Sequence, residues 1–134
     1  MPVEHTSFLE LANESLHGQG REIDFRCSIG KSYYCMYHSA SRLTNGKTAK
    51  TDSNGNAFTG GVHKRFYSYL MDNAADYYGL DKDLTVKVGM MLKQSHALRI
   101  SADYHLEHNI TKPTAEMMIR RAVELERIIA SIQK

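Results

Sequence analysis

Arg99 and His105 have the two side-chain types that can cleave RNA without a metal, and they stand six positions apart in one segment. Histidine moves protons near neutral pH, and the planar arginine cation stabilises a phosphate that gains charge in the transition state. The alternative is structural. Arg99 can pair with Asp103 one helical turn later, which leaves His105 as an ordinary surface histidine.

Both side chains lie on one predicted helix, and this placement restricts the catalytic interpretation. Six residues of regular helix put Arg99 and His105 about 120° apart around the axis, whereas Arg99 and Asp103 are about 40° apart. Arg99 and His105 therefore meet at one phosphate only if the helix loosens near His105, or if a second chain supplies one of them.

Three further residues are candidates for substrate binding. His63 and Lys64 stand at the predicted start of a helix, where free N–H groups favour anions, although a solvated first turn is the alternative. Tyr34 lies in a run with Tyr33 and Tyr37. Such tyrosines suit a core or a dimer interface, and one of them can also stack on a base.

The metal-ligand patterns are poor in this sequence. The pattern His105-x-x-His108 supplies two ligands only, and neither Cys-x-x-Cys nor His-Glu-x-x-His accompanies it. The phosphate loop Gly-x-x-x-x-Gly-Lys is also missing. We therefore expect no metal and no cofactor.

Length, charge and cysteine usage narrow the class of protein. A chain of 134 residues suits one domain, 1–134, and a net charge of +2 gives no overall basic field for nucleic acid. Without a signal pattern or a long apolar run, we expect no membrane contact and a cytoplasmic location. Cys27 and Cys35 are separated by roughly 12 Å of helical rise, too far to form a disulfide.

The hydrophobic periodicity predicts five helices and no strands. The predicted helices cover 7–16, 22–43 and 62–78, then start near 81 or 83 and near 113, with a long polar loop over 44–61. Ser7 and Glu10 have the spacing of a capping box, and Gly30 indicates a close neighbouring backbone. The predicted architecture is an all-α, four- to five-helix antiparallel bundle.

Three short stretches of the chain, taken in order, form a pattern of arginine, histidine and tyrosine residues. Residues 26–40 hold an arginine, small residues and a tyrosine pair, and Gly-Val-His-Lys at 61–64 precedes an aromatic helix. Arg99 is then followed by Asp103-Tyr104 and by His105 at an Arg-x5-His spacing. Together these stretches resemble the HEPN superfamily (higher eukaryotes and prokaryotes nucleotide-binding) over residues 20–133.

The resemblance implies a HEPN-like bundle that forms a homodimer and places two copies of the motif in one cleft. One implied function is a metal-independent endoribonuclease, a toxin or defence effector. In it Arg99 holds the scissile phosphate, His105 acts as general acid or base, and Asp103 and Tyr104 form a structural pair. Such chains can also have a nucleotidyltransferase or an antitoxin as partner.

The other implied function is a non-catalytic module that binds a nucleotide, RNA or a partner protein. Ile100 favours this alternative, because catalytic members usually carry a polar residue directly after the arginine. A third interpretation, drawn from the tyrosine-rich helix alone, is a plain interaction protein with an aromatic oligomer interface.

Overall fold

The computed structural model describes residues 4–132, and these form six α-helices with one isolated β-bridge as their only strand-like pairing. The helices are α1 (His5–Leu16), α2 (Glu22–Ser41), α3 (Val62–Asp72), α4 (Ala74–Tyr78), α5 (Lys82–Tyr104) and α6 (Lys112–Ile132). A short 3-10 turn, Arg42–Thr44, extends α2. The prediction of an all-α chain is confirmed.

Helix α2 lies at the centre of the packing and contacts α1, α5 and α6, while α3 packs against α5. The buried face of α2 includes Ile29, Tyr33, Met36 and Ala40, which recur at the spacing of one side of a helix. This face joins the apolar faces of the other helices in one core. Helix α5 therefore lies beside both α2 and α3, the other two helices that carry candidate residues.

Of two predicted helix starts, the structure confirms that of α5 and contradicts that of α1. Helix α5 begins behind Asp81, whose carboxylate accepts a hydrogen bond from the N–H of Leu84 at 2.9 Å, as an N-cap residue should. Helix α1 begins at His5, so Ser7 already lies in its first turn, and its N–H donates to the Glu4 carbonyl. The predicted capping box at Ser7 is therefore wrong.

The single helix predicted over 62–78 is in fact two helices. Asn73 leaves the helical conformation with φ −129° and ψ 7°, and α4 then ends at Tyr78, directly before Gly79 with its φ of 66°. Asparagine has a low helix propensity, so an interruption at this position costs little. After the break, the Tyr78 hydroxyl donates to the carbonyl of Thr44 at 3.0 Å.

The glycine that permits a tight contact between helices is Gly89 and not Gly30. A Cβ atom on Gly89 would lie 2.7 Å from Cγ of Met71 and 3.0 Å from the carbonyl oxygen of Tyr67. A Cβ atom on Gly30 would meet only an Asp103 carboxylate oxygen, at 3.6 Å. The predicted close backbone beside Gly30 is therefore wrong, and the missing side chain at 89 is what lets α3 and α5 approach.

The polar loop after α2 is held by its own hydrogen bonds. The Asp52 carboxylate accepts from the N–H groups of Asn54 and Asn56, at 2.9 and 3.0 Å. Ser53 donates its N–H and its hydroxyl to the carboxylate of Asp72, at 2.8 and 2.9 Å. These bonds tie the tip of the loop to the last residue of α3.

The structure of residues 4–132 bears on two further predictions, which concern the cysteines and membrane-spanning helices. Cys27 is exposed, Cys35 is buried and both are free, so the prediction that they do not bridge is confirmed. Every helix in this part of the chain is too short or too polar to cross a lipid bilayer.

Candidate functional site

Arg99 lies on α5 within a set of contacts that neutralise and shield it. Its Nε is 2.9 Å from Oδ2 of Asp103, an ion pair in which the N–H does not point at the oxygen. Its Nη2 donates to the Tyr34 hydroxyl at 2.9 Å, and the guanidinium carbon is 5.2 Å from the Tyr34 ring centre. The Tyr104 ring is 5.9 Å away. Only 13% of the Arg99 side chain is exposed.

His105 occupies a different environment. Helix α5 stays regular through Tyr104, and His105 is the first residue beyond it, with φ −106° and ψ 78°. Its Nδ1 is 3.4 Å from Oε1 of Glu107, and its ring centre is 4.9 Å from that of His108. Among residues 4–132, no hydrogen bond, ion pair or ring interaction joins His105 to Arg99. The described residues therefore do not bring the two predicted catalytic side chains into one site.

The position of His105 depends on Arg26, for which the sequence predicted no role of its own. Arg26 is buried in α2, and Glu22 pairs with it at 3.1 Å. Its guanidinium donates to five main-chain carbonyl oxygens, those of Ser101 (3.2 Å), Ala102 (3.0 Å), His105 (3.2 Å), Leu106 (3.3 Å) and His108. Arg26 thus caps the end of α5 from a neighbouring helix. An arginine on the same side of α2 as Ile29 and Tyr33 was the available signal.

His63 lies in the first turn of α3, but its imidazole turns inward. Its Nδ1 is 2.8 Å from the Tyr33 hydroxyl, and its ring centre is 4.6 Å from that of Tyr37. It also stacks on His96, with ring centres 5.0 Å apart. His96 was not predicted as a site residue. Its position three residues before Arg99, on the same side of α5, could have indicated it.

Burial keeps both imidazoles neutral. Burial first, and then the nearby His96, Arg99 and His38, lower the pKa of His63 to about 4. Burial and the Arg99 cation likewise lower the pKa of His96. Burial raises the pKa of Tyr33, so its hydroxyl keeps its proton. Near pH 7 this cluster offers hydrogen bonds and flat rings, with Arg99 as its nearest charge.

Six half-buried or exposed residues from α2, α3 and α5 form what we call the imidazole–tyrosine face: Tyr34, Tyr37, His38, His63, His96 and Arg99. Phe8 of α1 extends it by stacking on His38, at 5.3 Å and 13° between the ring planes. Aromatic rings beside a single cation suit a ligand that is flat, anionic or both.

Lys64 lies at the edge of this arrangement. It is exposed, and its aliphatic chain covers Gly60, where a Cβ atom would lie 2.5 Å from Cδ of Lys64. Gly61 gives α3 no side-chain cap. The structure therefore places Tyr34 and His63 near Arg99, while Lys64 points along the loop.

A separate cleft of about 450 Å³ lies between the polar loop and the start of α3. It shares no lining residue with the imidazole–tyrosine face. Its lining residues are Gly46, Thr48, Ala49, Lys50, Ala57, Phe58, Val62 and Arg65.

Comparisons with protein-family models, with curated proteins and with solved structures give no match for this chain. The site must therefore be interpreted from its own geometry.

Proposed function

We propose that this chain is a HEPN-like binding module that holds a nucleotide or an RNA segment on the imidazole–tyrosine face without cleaving it. One observation carries the proposal. Arg99 is engaged by Asp103 and Tyr34, while His105 lies beyond the end of α5 with different neighbours. Metal-free cleavage would need both side chains at one phosphate.

The chemistry of the face supports a ligand with bases and phosphates. Base–aromatic stacking contributes roughly 1–3 kcal/mol per base, and Tyr34 and Tyr37 offer partly exposed rings for it. The neutral imidazoles of His63 and His96 can accept or donate hydrogen bonds. A phosphate would compete with Asp103 for the Arg99 guanidinium, whose planar fork binds either group.

The resemblance adds two elements to the proposal. The chain would act as a homodimer, and its partner would be a nucleotidyltransferase or an antitoxin. The net charge of +2 favours a modest number of phosphate contacts, because each contact needs a local cation. We therefore expect a shallow dependence of affinity on salt.

Binding can be measured by fluorescence anisotropy with a labelled single-stranded RNA of about twelve nucleotides and with a labelled nucleotide. Arg99→Gln should weaken binding by about tenfold, since it removes the charged phosphate donor. His105→Ala and the exposed control Arg120→Gln should change it less than about twofold. Equal affinity of Arg99→Gln and wild type would contradict the proposed role of the face.

A second candidate is the metal-independent endoribonuclease, in which Arg99 and His105 keep their predicted roles. It is favoured by the exposure of His105, whose side chain is 46% exposed beyond the end of α5 and is therefore open to a second chain. In this version a second chain brings His105 to the Arg99 of the first. The expected product is a 2′,3′-cyclic phosphate.

Incubation of the protein with a mixed RNA pool in excess chelator separates the two candidates. Cleavage by wild type that is lost in both Arg99→Ala and His105→Ala would establish the enzyme and overturn the non-catalytic module. Intact RNA after prolonged incubation, together with measurable binding, would support the module. Cleavage that chelator abolishes would exclude the metal-independent mechanism.

A further inference from the structure

Three side chains with metal-ligand atoms converge just beyond the end of α5. His105, Glu107 and His108 each offer one ligand atom, and these atoms lie within 4.8 Å of one another. Oε1 of Glu107 is 3.4 Å from Nδ1 of His105 and 3.8 Å from Nε2 of His108. The sequence pattern supplied only the two histidines, so Glu107 is the ligand that the loop conformation adds.

These separations are close to what a tetrahedral ion needs. With bonds of about 2.0–2.2 Å, two ligand atoms on one zinc ion lie about 3.3–3.5 Å apart. Small rotations of exposed side chains would bring the three atoms onto one centre. Two imidazoles and a carboxylate, with water in the fourth position, form a ligand set that Zn²⁺ accepts and that Mg²⁺ and Ca²⁺ disfavour.

The backbone under these ligands is already held in place. Arg26 binds the carbonyl oxygens of His105 and His108, so the segment between the two histidines cannot easily open. Its own charge is paired with Glu22. The C-terminal end of a helix also favours a cation, because its dipole is negative there.

The ring of His108 has a hydrogen-bond partner on the nitrogen that does not face Glu107, as metal-bound imidazoles usually do. Oγ of Ser101 is 3.2 Å from Nδ1 of His108, which leaves Nε2 of the same ring facing Glu107. Such hydrogen bonds fix the ring orientation and the tautomer, and their loss typically costs 10–100-fold in metal affinity.

We propose that His105, Glu107 and His108 form a binding site for a divalent transition metal ion, with Zn²⁺ as the best chemical match. The site replaces our expectation from the sequence that no metal binds. It is separate from the imidazole–tyrosine face and does not depend on RNA or nucleotide binding. A bound ion would cross-link the segment between α5 and α6.

Zinc affinity of the untagged, metal-stripped full chain can be measured at pH 7.5 by competition with a chromophoric chelator. A Cys27→Ser background removes the exposed thiol as a competing ligand. We expect one Zn²⁺ per chain with a Kd of about 10 µM or below. His105→Ala and His108→Ala should each weaken binding by about 100-fold, and Ser101→Ala by about tenfold. His17→Ala, an exposed control at the residue after α1, should leave it unchanged.

Imidazole ¹⁵N resonances of the wild-type chain give a readout that does not depend on any variant folding. Zinc should shift the signals of His105 and His108 while leaving that of His17 in place. The proposal is overturned if wild type binds Zn²⁺ more weakly than about 1 mM, if His105→Ala and His108→Ala bind as wild type does, or if the shifts fall on other histidines.

Discussion

Replacement of Arg26 by methionine should remove the cap that joins α2 to the end of α5. Methionine keeps most of the apolar length of the side chain but donates no hydrogen bond, so it isolates the guanidinium from the packing. Five main-chain carbonyls lose a donor, and Glu22 loses the cation that lies 3.1 Å away. The perturbation therefore acts on the α5 cap and on the loop that follows it.

The magnitude follows from how deeply each bond is buried. A hydrogen bond from a charged donor contributes about 1.5–3 kcal/mol when it cannot be replaced. Only the bond to Ala102 is fully buried, and water can reach the other carbonyls once the loop opens. We therefore expect a loss of about 3–4 kcal/mol in the free energy of unfolding, within the range for breaking a buried charged network. Arg26→Lys, with three donors instead of five, should lose about 2 kcal/mol.

Urea unfolding followed by circular dichroism measures this loss, and amide hydrogen exchange locates it. Exchange should accelerate first in residues 105–110, because their carbonyls and backbone lose the anchor. Arg120→Met on the exposed side of α6 is the matched control and should stay within about 0.5 kcal/mol of wild type. A loss below about 1 kcal/mol for Arg26→Met, with an unchanged m-value, would refute this reasoning.

Two further predictions concern helix packing and pH. Gly89→Ala should lower the free energy of unfolding by about 1–3 kcal/mol in urea, because its Cβ would overlap α3. Gly30→Ala should raise it by about 0.5–1 kcal/mol through the higher helix propensity of alanine. A Gly89→Ala variant more stable than Gly30→Ala would contradict the packing described at Gly89. Because burial lowers the pKa of His63 from 6.5 to about 4 in the folded chain, the unfolded chain binds the proton first as the pH falls below 6.5. The free energy of unfolding should therefore decline between pH 6.5 and 4, by about 1 kcal/mol once solvent screening of this half-exposed ring is taken into account. Urea midpoints measured at several pH values should show a smaller decline in His63→Gln. An unchanged slope in that variant would assign the decline to other groups.

The helices were largely predictable because their apolar residues repeat at a helical period over long segments. Their ends were less predictable where the decisive contact is distant in sequence. Asp81 caps α5 through a local bond and was one of the two predicted starting positions, whereas the break at Asn73 accompanies contacts from Ser53 and Tyr78 to other segments. Local patterns cannot show such contacts.

The candidate site was predictable in its residue types but not in its grouping. The Arg99–Asp103 spacing anticipated the contact between the two side chains, because one helical turn separates them. His96 and Glu107 were missed for different reasons. His96 gains its neighbours from α2 and α3, and Glu107 faces two histidines only because the loop folds back under Arg26. Both depend on tertiary packing.

Because Arg26 of α2 caps the end of α5, the choice of fragment boundaries matters for this protein. A peptide covering only α5 and α6 would lack Arg26, so the carbonyls of Ala102, Leu106 and His108 would lose their guanidinium donor and the turn between the helices would be less firmly held. A shortened version that starts before Glu22 keeps the guanidinium and its carboxylate together. Fragments meant to keep the end of α5 capped should therefore include α2, and also α1, because α1 buries Ala12 and Leu16 against the rest of the fold.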